Sequence, residues 1–285
     1  MTNKTLPGRI ASLVLAFSFL LAAGGCGAGP GPVAQVAVPR VDAMPDSPPQ
    51  FRMKDWKELA LAFDAFAYAP GNLGIPEPFA GWDRNRRNFD EDLYGLLAYL
   101  GDNRSIEAGQ HEAITTMAAL VSATLVGIDK SDQDGLDYVS MVRNYYNKAN
   151  GETVFLDMTN TVTGHSFWYE IFPNILFFML YDLYPDTPGF EALARSVADS
   201  WYEAARVMCD GGKTPNFGYN SFRFSDRTPV SDRWMENDAG AGIAWLLYMA
   251  HVRFGDEKYL EAARWGLDFT QGLQENPFYE VLLPY

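Results

Sequence analysis

The chain has 285 residues, with 22 Lys+Arg against 36 Asp+Glu, and a formal net charge of -14. Its 48% hydrophobic and 20% charged residues are those of a globular protein with a sizeable core, and the acidic balance excludes a general polyanion-binding surface, so no nucleic-acid partner is expected. Two cysteines exclude a disulfide framework and a cysteine-rich metal site, while 14% aromatic residues, among them 7 Trp and 15 Tyr, form an excess that needs a cause.

Lys4 and Arg9 precede an apolar run from Ile10 to Ala23, which ends in Gly24-Gly25-Cys26. A basic start, a short apolar stretch and small residues at its end predict a secretory signal peptide over 1–25. The run is short for a bilayer span. Ala23-Gly24-Gly25-Cys26 resembles the lipoprotein box of bacteria, which implies lipidation of Cys26 and attachment to a membrane of the cell envelope through that anchor alone. Residues 26–50 hold Pro, Gly and Ala without periodicity and are expected to be a flexible tether. With Cys26 acylated, Cys209 has no partner and reads as a buried, inert thiol.

From Phe51 onward the apolar spacing is helical and predicts an all-α body over 51–285. Helices are expected at 53–67, 90–100, 105–126, 135–148, 166–184, 190–208, 238–254 and 257–272, with another start near 277. Ser221-Phe222-Arg223-Phe224 is the one candidate for a short edge strand. The turn Gly101-Asp102-Asn103-Arg104-Ser105-Ile106-Glu107-Ala108 is echoed at Gly255-Asp256-Glu257-Lys258-Tyr259-Leu260-Glu261-Ala262, and more loosely at Pro185–Ala192. Each copy follows an apolar, aromatic-rich helix and opens an amphipathic one, as a capped helix start would. The other connections, 69–89, 149–165 and 209–236, are long. Antiparallel hairpins therefore place the short turns on one side and the long loops on the other, and long loops in compact domains are usually functional.

The segments GHSFWYEIFPNILFF and RWMENDAGAGIAWLLYMA, together with the hairpin echo, resemble the α/α-toroid enzymes that act on carbohydrates. These are the six-hairpin glycosidase-like proteins: unsaturated glucuronyl hydrolases, exo-acting glucuronidase-like families and the helical domains of several polysaccharide lyases. The resemblance implies an incomplete toroid, about four of about six hairpins, with its cleft at the loop-rich mouth. The chain stops at Leu283-Pro284-Tyr285 inside its ninth expected helix, as the N-terminal part of a longer protein would.

The long loops carry the candidate site. Phe79, Trp82, Phe89, Phe155, Phe167, Trp168, Tyr169, Phe217, Tyr219, Phe222, Phe224 and Trp234 lie in or beside them, as platforms for sugar faces or as packing for the loops. Arg84, Arg86, Arg87, Arg223, Arg227 and Arg233 cluster there too, suited to a uronate carboxylate or to pairing with Asp83, Asp226 and Asp232. Glycoside hydrolysis needs two carboxyl groups flanking the bond. Asp90, Glu170, Glu236 and Asp238 are the catalytic candidates. Asp90 and Asp238 also read as helix caps, whereas partial burial of Glu170 beside Trp168 and Tyr169 would suit a general acid. Trp82, Arg87, His165, Trp168, Tyr169, Tyr219, Arg233 and Trp234 form the expected substrate-binding set. A lyase would use His165, Tyr169, Tyr219 and Arg233, and a glycan-binding lipoprotein would need the aromatic platform without the carboxylates.

No metal or cofactor is expected. The sequence contains no HExxH, GxSxG or dinucleotide fingerprint. Asp132 and Asp134 lack the EF-hand glycine and terminal glutamate, and Gly211-Gly212-Lys213-Thr214 lacks the first glycine of a phosphate loop.

Overall fold

A computed structural model describes residues 54–68, 80–83, 92–96, 113–146, 153–155, 166–232, 235–236 and 239–273. The chain divides into two units, Met1–Met53 and Lys54–Tyr285, and every described residue belongs to the second. In chain order the elements are α1 (Trp56–Tyr68), β1 (Ala80–Asp83), β2 (Leu93–Leu96), α2 (Ala113–Leu125), α3 (Tyr138–Met141) continued by a 3-10 turn (Val142–Tyr145), α4 (Phe167–Leu183), α5 (Phe190–Met208), β3 (Ser221–Arg223), β4 (Thr228–Val230), α6 (Ala239–Phe254) and α7 (Glu257–Gly272). Among the described residues the protein is mostly helical, with two short antiparallel ribbons, β1–β2 and β3–β4.

Residue pattern decides which helices lie inside. Helix α4 is apolar almost all round, and its residues from Pro173 to Phe178 are all buried. A helix of that kind must be covered on every side. It packs against α2, α5 and α6, while α5 and α7 pack on each other and on α6. In α5 the buried residues Phe190, Ala194, Val197, Ala198, Trp201, Ala204, Ala205 and Met208 follow helical spacing along one face. In α7 the buried residues Tyr259, Ala262, Ala263 and Gly266 do the same. The result is one layer of α2, α4 and α6 and a second of α5 and α7. Helices α6 and α7 approach most closely where glycines meet. A Cβ on Gly266 would overlap the Gly240 carbonyl, and one on Gly240 would lie 2.7 Å from a ring carbon of Phe269. The small residues that open α6 thus serve helix packing.

The two ends of this assembly differ. The turns Tyr184–Gly189 and Gly255–Asp256 share one end, where the Phe178 and Phe254 rings meet at 6.3 Å and Lys258 pairs with Asp199 at 2.8 Å. Asp256 caps α7 by accepting from the Lys258 amide at 3.0 Å, the helix start expected from the sequence echo. The Tyr184 hydroxyl accepts from the Lys130 amide and bonds Thr124 Oγ1, both at 2.9 Å, which brings the end of α2 to the same place. Helices α2, α4 and α6 therefore run in the same direction. Their opposite end carries the long connection from Cys209 to Glu236, where the rings of Phe217 and Phe269 meet at 5.8 Å.

Two expectations are corrected. The helix at 90–100 gives way to strand β2, whose four residues are all buried. A short apolar run fits a strand as well as a helix, and here Gly95 decides. A Cβ at Gly95 would overlap Thr116 Oγ1 and the Tyr145 hydroxyl, while the Leu96 amide donates to Thr116 Oγ1 at 3.0 Å. The helix at 135–148 is only α3 and its 3-10 turn, which ends when Tyr146 becomes extended and bridges Phe155. Of the two roles expected for the loop aromatics, Phe155, Phe167, Phe217 and Phe222, at most 1% exposed, and Phe224, 8% exposed, take the packing one. The strand expected at Ser221–Phe224 forms as β3, paired with β4. The signal peptide, the tether, residues 101–112 and the helix start near 277 lie outside the described residues.

An ion pair fixes α1 to the segment after α2. Lys130 is fully buried and donates to Asp64 Oδ1 at 2.8 Å and to Gln133 Oε1, while Gln133 Nε2 donates to Asp64 Oδ2 at 2.9 Å. The Lys130 ammonium lies 3.3 Å from the Tyr68 ring centroid and 4.7 Å from that of Tyr138. Burial pulls the Lys130 amine below the ordinary lysine range, against the opposing pull of Asp64.

Asp64→Asn leaves that buried cation without its counter-charge, and denaturant unfolding is expected to show a loss of about 3–5 kcal/mol. Because the folded chain releases the Lys130 proton at lower pH than the unfolded chain, the contribution of Lys130 to stability rises with pH across that window. Lys130→Met should flatten the rise in a pH series of unfolding curves. Burial also pushes the Cys209 thiol up to about 11, with its sulfur enclosed beside Asn216. The native protein should leave Cys209 unlabelled by iodoacetamide at neutral pH and expose it only on unfolding, as intact-mass measurement would show.

Candidate functional site

Helix α4 begins at the loop-bearing end, and its first turn lacks a local cap. Ser166 occupies the N-cap position in extended conformation, but its hydroxyl makes no capping bond. Glu236 supplies the acceptor instead. Its Oε2 receives the Ser166 hydroxyl at 3.1 Å and the Trp168 amide at 3.3 Å. A carboxylate there meets the exposed amides and the positive end of the helix dipole. Glu236 is itself fixed on both sides: its amide donates to the Tyr219 carbonyl and its carbonyl accepts from the Ala239 amide, each at 3.1 Å. One residue, through its side chain and its backbone, thus joins the start of α4, the start of α6 and the loop between them.

Glu170 lies within the first turn and is fully buried. Its Oε2 accepts the Phe222 amide of β3 at 3.0 Å, and its carbonyl accepts Asn174 Nδ2 at 2.6 Å. Asn174 also exchanges two bonds of 2.9 Å with the backbone of Phe155, which pins segment 153–155 beside Pro173. The hairpin is tied down further by Asn220. Its carbonyl accepts the Phe167 amide at 2.9 Å, its amide donates to the Val230 carbonyl at 3.0 Å, and its Oδ1 accepts the Asp232 amide at 3.1 Å.

Around these carboxylates Trp168 stacks on Phe172, with centroids 4.6 Å apart and planes inclined by 18°. Both rings are half-buried, as are Tyr169 and Tyr219. The Tyr219 hydroxyl accepts Asn216 Nδ2 at 3.4 Å. Of the residues expected from sequence, Glu170, Glu236, Trp168, Tyr169 and Tyr219 therefore belong to one end of the molecule, on α4 and the loop that meets it. Trp82 sits in β1 with its ring edge-on to Tyr94 at 5.2 Å, next to the tyrosines around Lys130. Asp90, Asp238, Arg87, His165, Arg233, Trp234 and Cys26 lie outside the described residues. Arg223 pairs with Asp226 at 3.2 Å and Arg227 lies 3.9 Å from Glu203, so these two serve loop charge balance.

The arrangement offers buried carboxylates beside a half-exposed aromatic pair, on rigid elements. Among the described residues no group of three His, Cys, Asp or Glu side chains is placed to hold a metal ion. Sequence reading missed Asn220 and Asn174, which position the site, and Asp64 and Gln133, which hold Lys130. Asparagine has no periodicity signal, and Asp64 meets Lys130 only through tertiary folding. Comparison with known proteins gives no match: no family model, curated protein or solved structure matches this chain.

Replacing Glu236 with Ala removes the acceptor of Ser166 Oγ and the Trp168 amide. Thermal and denaturant unfolding are expected to show a loss of about 1–3 kcal/mol, with Glu236→Gln losing less because one acceptor oxygen remains.

Proposed function

We propose that this protein is an exported, Cys26-anchored carbohydrate-active enzyme, an arc of a helical-hairpin toroid that hydrolyses an acidic glycan at its loop-bearing end. The observation that carries this reading is the convergence of Glu170 and Glu236, 66 positions apart, on the first turn of α4. Parallel α2, α4 and α6 in one layer, with α5 and α7 outside them, suit a toroid arc. In this reading Glu170 acts as the general acid and Asp238 as the base or nucleophile, while Glu236 holds the start of α4. Trp168, stacked on Phe172, supplies the platform for a sugar face, with Tyr169 and Tyr219 beside it. Arg233 and Arg87 would receive a uronate carboxylate, and His165 would bind substrate from the loop before α4.

One observation favours a second reading, glycan binding without turnover. Glu170 and Glu236 both accept backbone amides, which is the work of anchoring carboxylates. A panel of uronate-containing and neutral oligosaccharides separates the two. Hydrolysis is expected for the acidic members, with Glu170→Gln and Asp238→Asn each lowering turnover by about a hundredfold or more. Full turnover in both variants removes the catalytic assignment. Unsaturated products absorbing in the ultraviolet move the chemistry to β-elimination, and binding without any product leaves the non-catalytic reading.

A further inference from the structure

Helix α1 presents an apolar stripe to solvent. Trp56, Leu59 and Phe63 are 65%, 43% and 52% exposed, although Asp64, Ala67 and Tyr68 on the adjoining arc are buried. At 3.6 residues per turn Trp56, Leu59, Ala62, Phe63 and Phe66 share one arc, beside the buried one. Three large side chains in register are more than the scattered apolar surface of an ordinary monomer. Their chemistry and their place in the chain both bear on what meets them. Trp56 opens the helix among the exposed side chains of Lys54, Asp55, Lys57 and Glu58, a locally neutral stretch in an acidic chain, and tryptophan is the ring that settles at a bilayer interface. Trp56 also follows Cys26 by only 30 positions, and α1 is the first helix of the folded unit.

We propose that α1 docks on the lipid bilayer, with Trp56, Leu59 and Phe63 at the acyl boundary and Lys54 and Lys57 among the headgroups. This takes the nearness of the bilayer from the exported, Cys26-anchored reading above and adds a second contact to it. An acyl anchor keeps α1 close to the surface, so a face of weak intrinsic affinity is enough to hold the body against it. The charge distribution suits a local contact. A chain of net charge -14 is repelled by an anionic leaflet as a whole, so attachment depends on a short apolar face whose flanking charges, Lys54 and Lys57 against Asp55 and Glu58, sum to zero.

The test is co-flotation of the full chain with vesicles of phosphatidylethanolamine and phosphatidylglycerol. Cys26→Ser, which cannot be acylated, is expected to retain weak flotation, and adding Trp56→Ser, Leu59→Ser and Phe63→Ser should reduce it about tenfold or more. Leu61→Ser, at an exposed position outside the stripe, is the folding and chemistry control and should change nothing. Equal flotation with and without the stripe, or none in Cys26→Ser, overturns the docking. So does a triple variant that turns a dimer into a monomer in sedimentation with flotation unchanged, since the stripe then seats a second copy. Palmitate labelling reports the anchor separately. Label without stripe-dependent flotation removes the docking face and leaves the anchor; stripe-dependent flotation without label removes the anchor and leaves the docking face.

Discussion

The structure depends on the need to cover α4. From Ile171 to Leu183 it has ten apolar side chains and a single charged one, Asp182. Water is excluded from such a helix only if neighbours meet it on nearly every face, and α2, α5, α6 and the 153–155 segment supply them, leaving Met179 and Asp182 at the surface. Aromatic rings fill the seams. Phe177 stacks on Phe155 at 4.2 Å and meets Phe190 edge-on at 5.0 Å, so one ring of α4 binds a loop segment and the start of α5 together. Once its sides are buried, the polar business of α4 is confined to its ends.

Those ends are built to different specifications. At the short-turn end the chain reverses over six residues or two, and the charges there are at the surface: Arg253 over the Tyr181 ring, Arg195 over Phe254, Lys258 with Asp199. Exposed pairs of that kind contribute little individually. At the other end the carboxylates of Glu170 and Glu236 are taken out of water and made to accept backbone amides from distant parts of the chain. A buried carboxylate without such partners would be costly, and with them it fixes the geometry of three segments. The asymmetry expected from loop lengths thus has an energetic counterpart. The same logic governs Lys130, whose burial is tolerated only with Asp64, Gln133 and two tyrosine rings around its ammonium.

How much of this was legible in the sequence follows from the range of each interaction. Helix α5 runs over Phe190–Met208 and α7 over Glu257–Gly272, as the 3.6-residue spacing of their buried residues predicts, because an amphipathic helix writes its own boundary between core and water. The turn before α7 was legible for a local reason too, since Asp256 caps an amide two residues away. Strand β2 was not, because Leu93-Tyr94-Gly95-Leu96 has no period to read and its pairing with β1 and its fit against Thr116 are set from outside. Glu170 and Glu236 were legible as carboxylates near a loop. That both would converge on the first turn of α4 depends on a hairpin whose anchor, Asn220, looks like any other loop asparagine.

The aromatic excess takes on a different meaning in this light. Rings such as Phe155, Phe167, Phe217 and Phe222, which lie in or beside long loops, are spent on sealing those loops to the helix ends. A loop of this length closes over a helix terminus only if it brings its own core, because the backbone it covers would otherwise lose water without gaining contacts. The buried phenylalanines therefore do the folding, and the half-buried Trp168, Phe172, Tyr169 and Tyr219 are what remains at the surface. Rigid packing beneath and a few amphipathic rings above is the combination that lets a surface bind a partly apolar ligand without paying for its own ordering first. The core and the candidate site are thus one aromatic system, divided by depth.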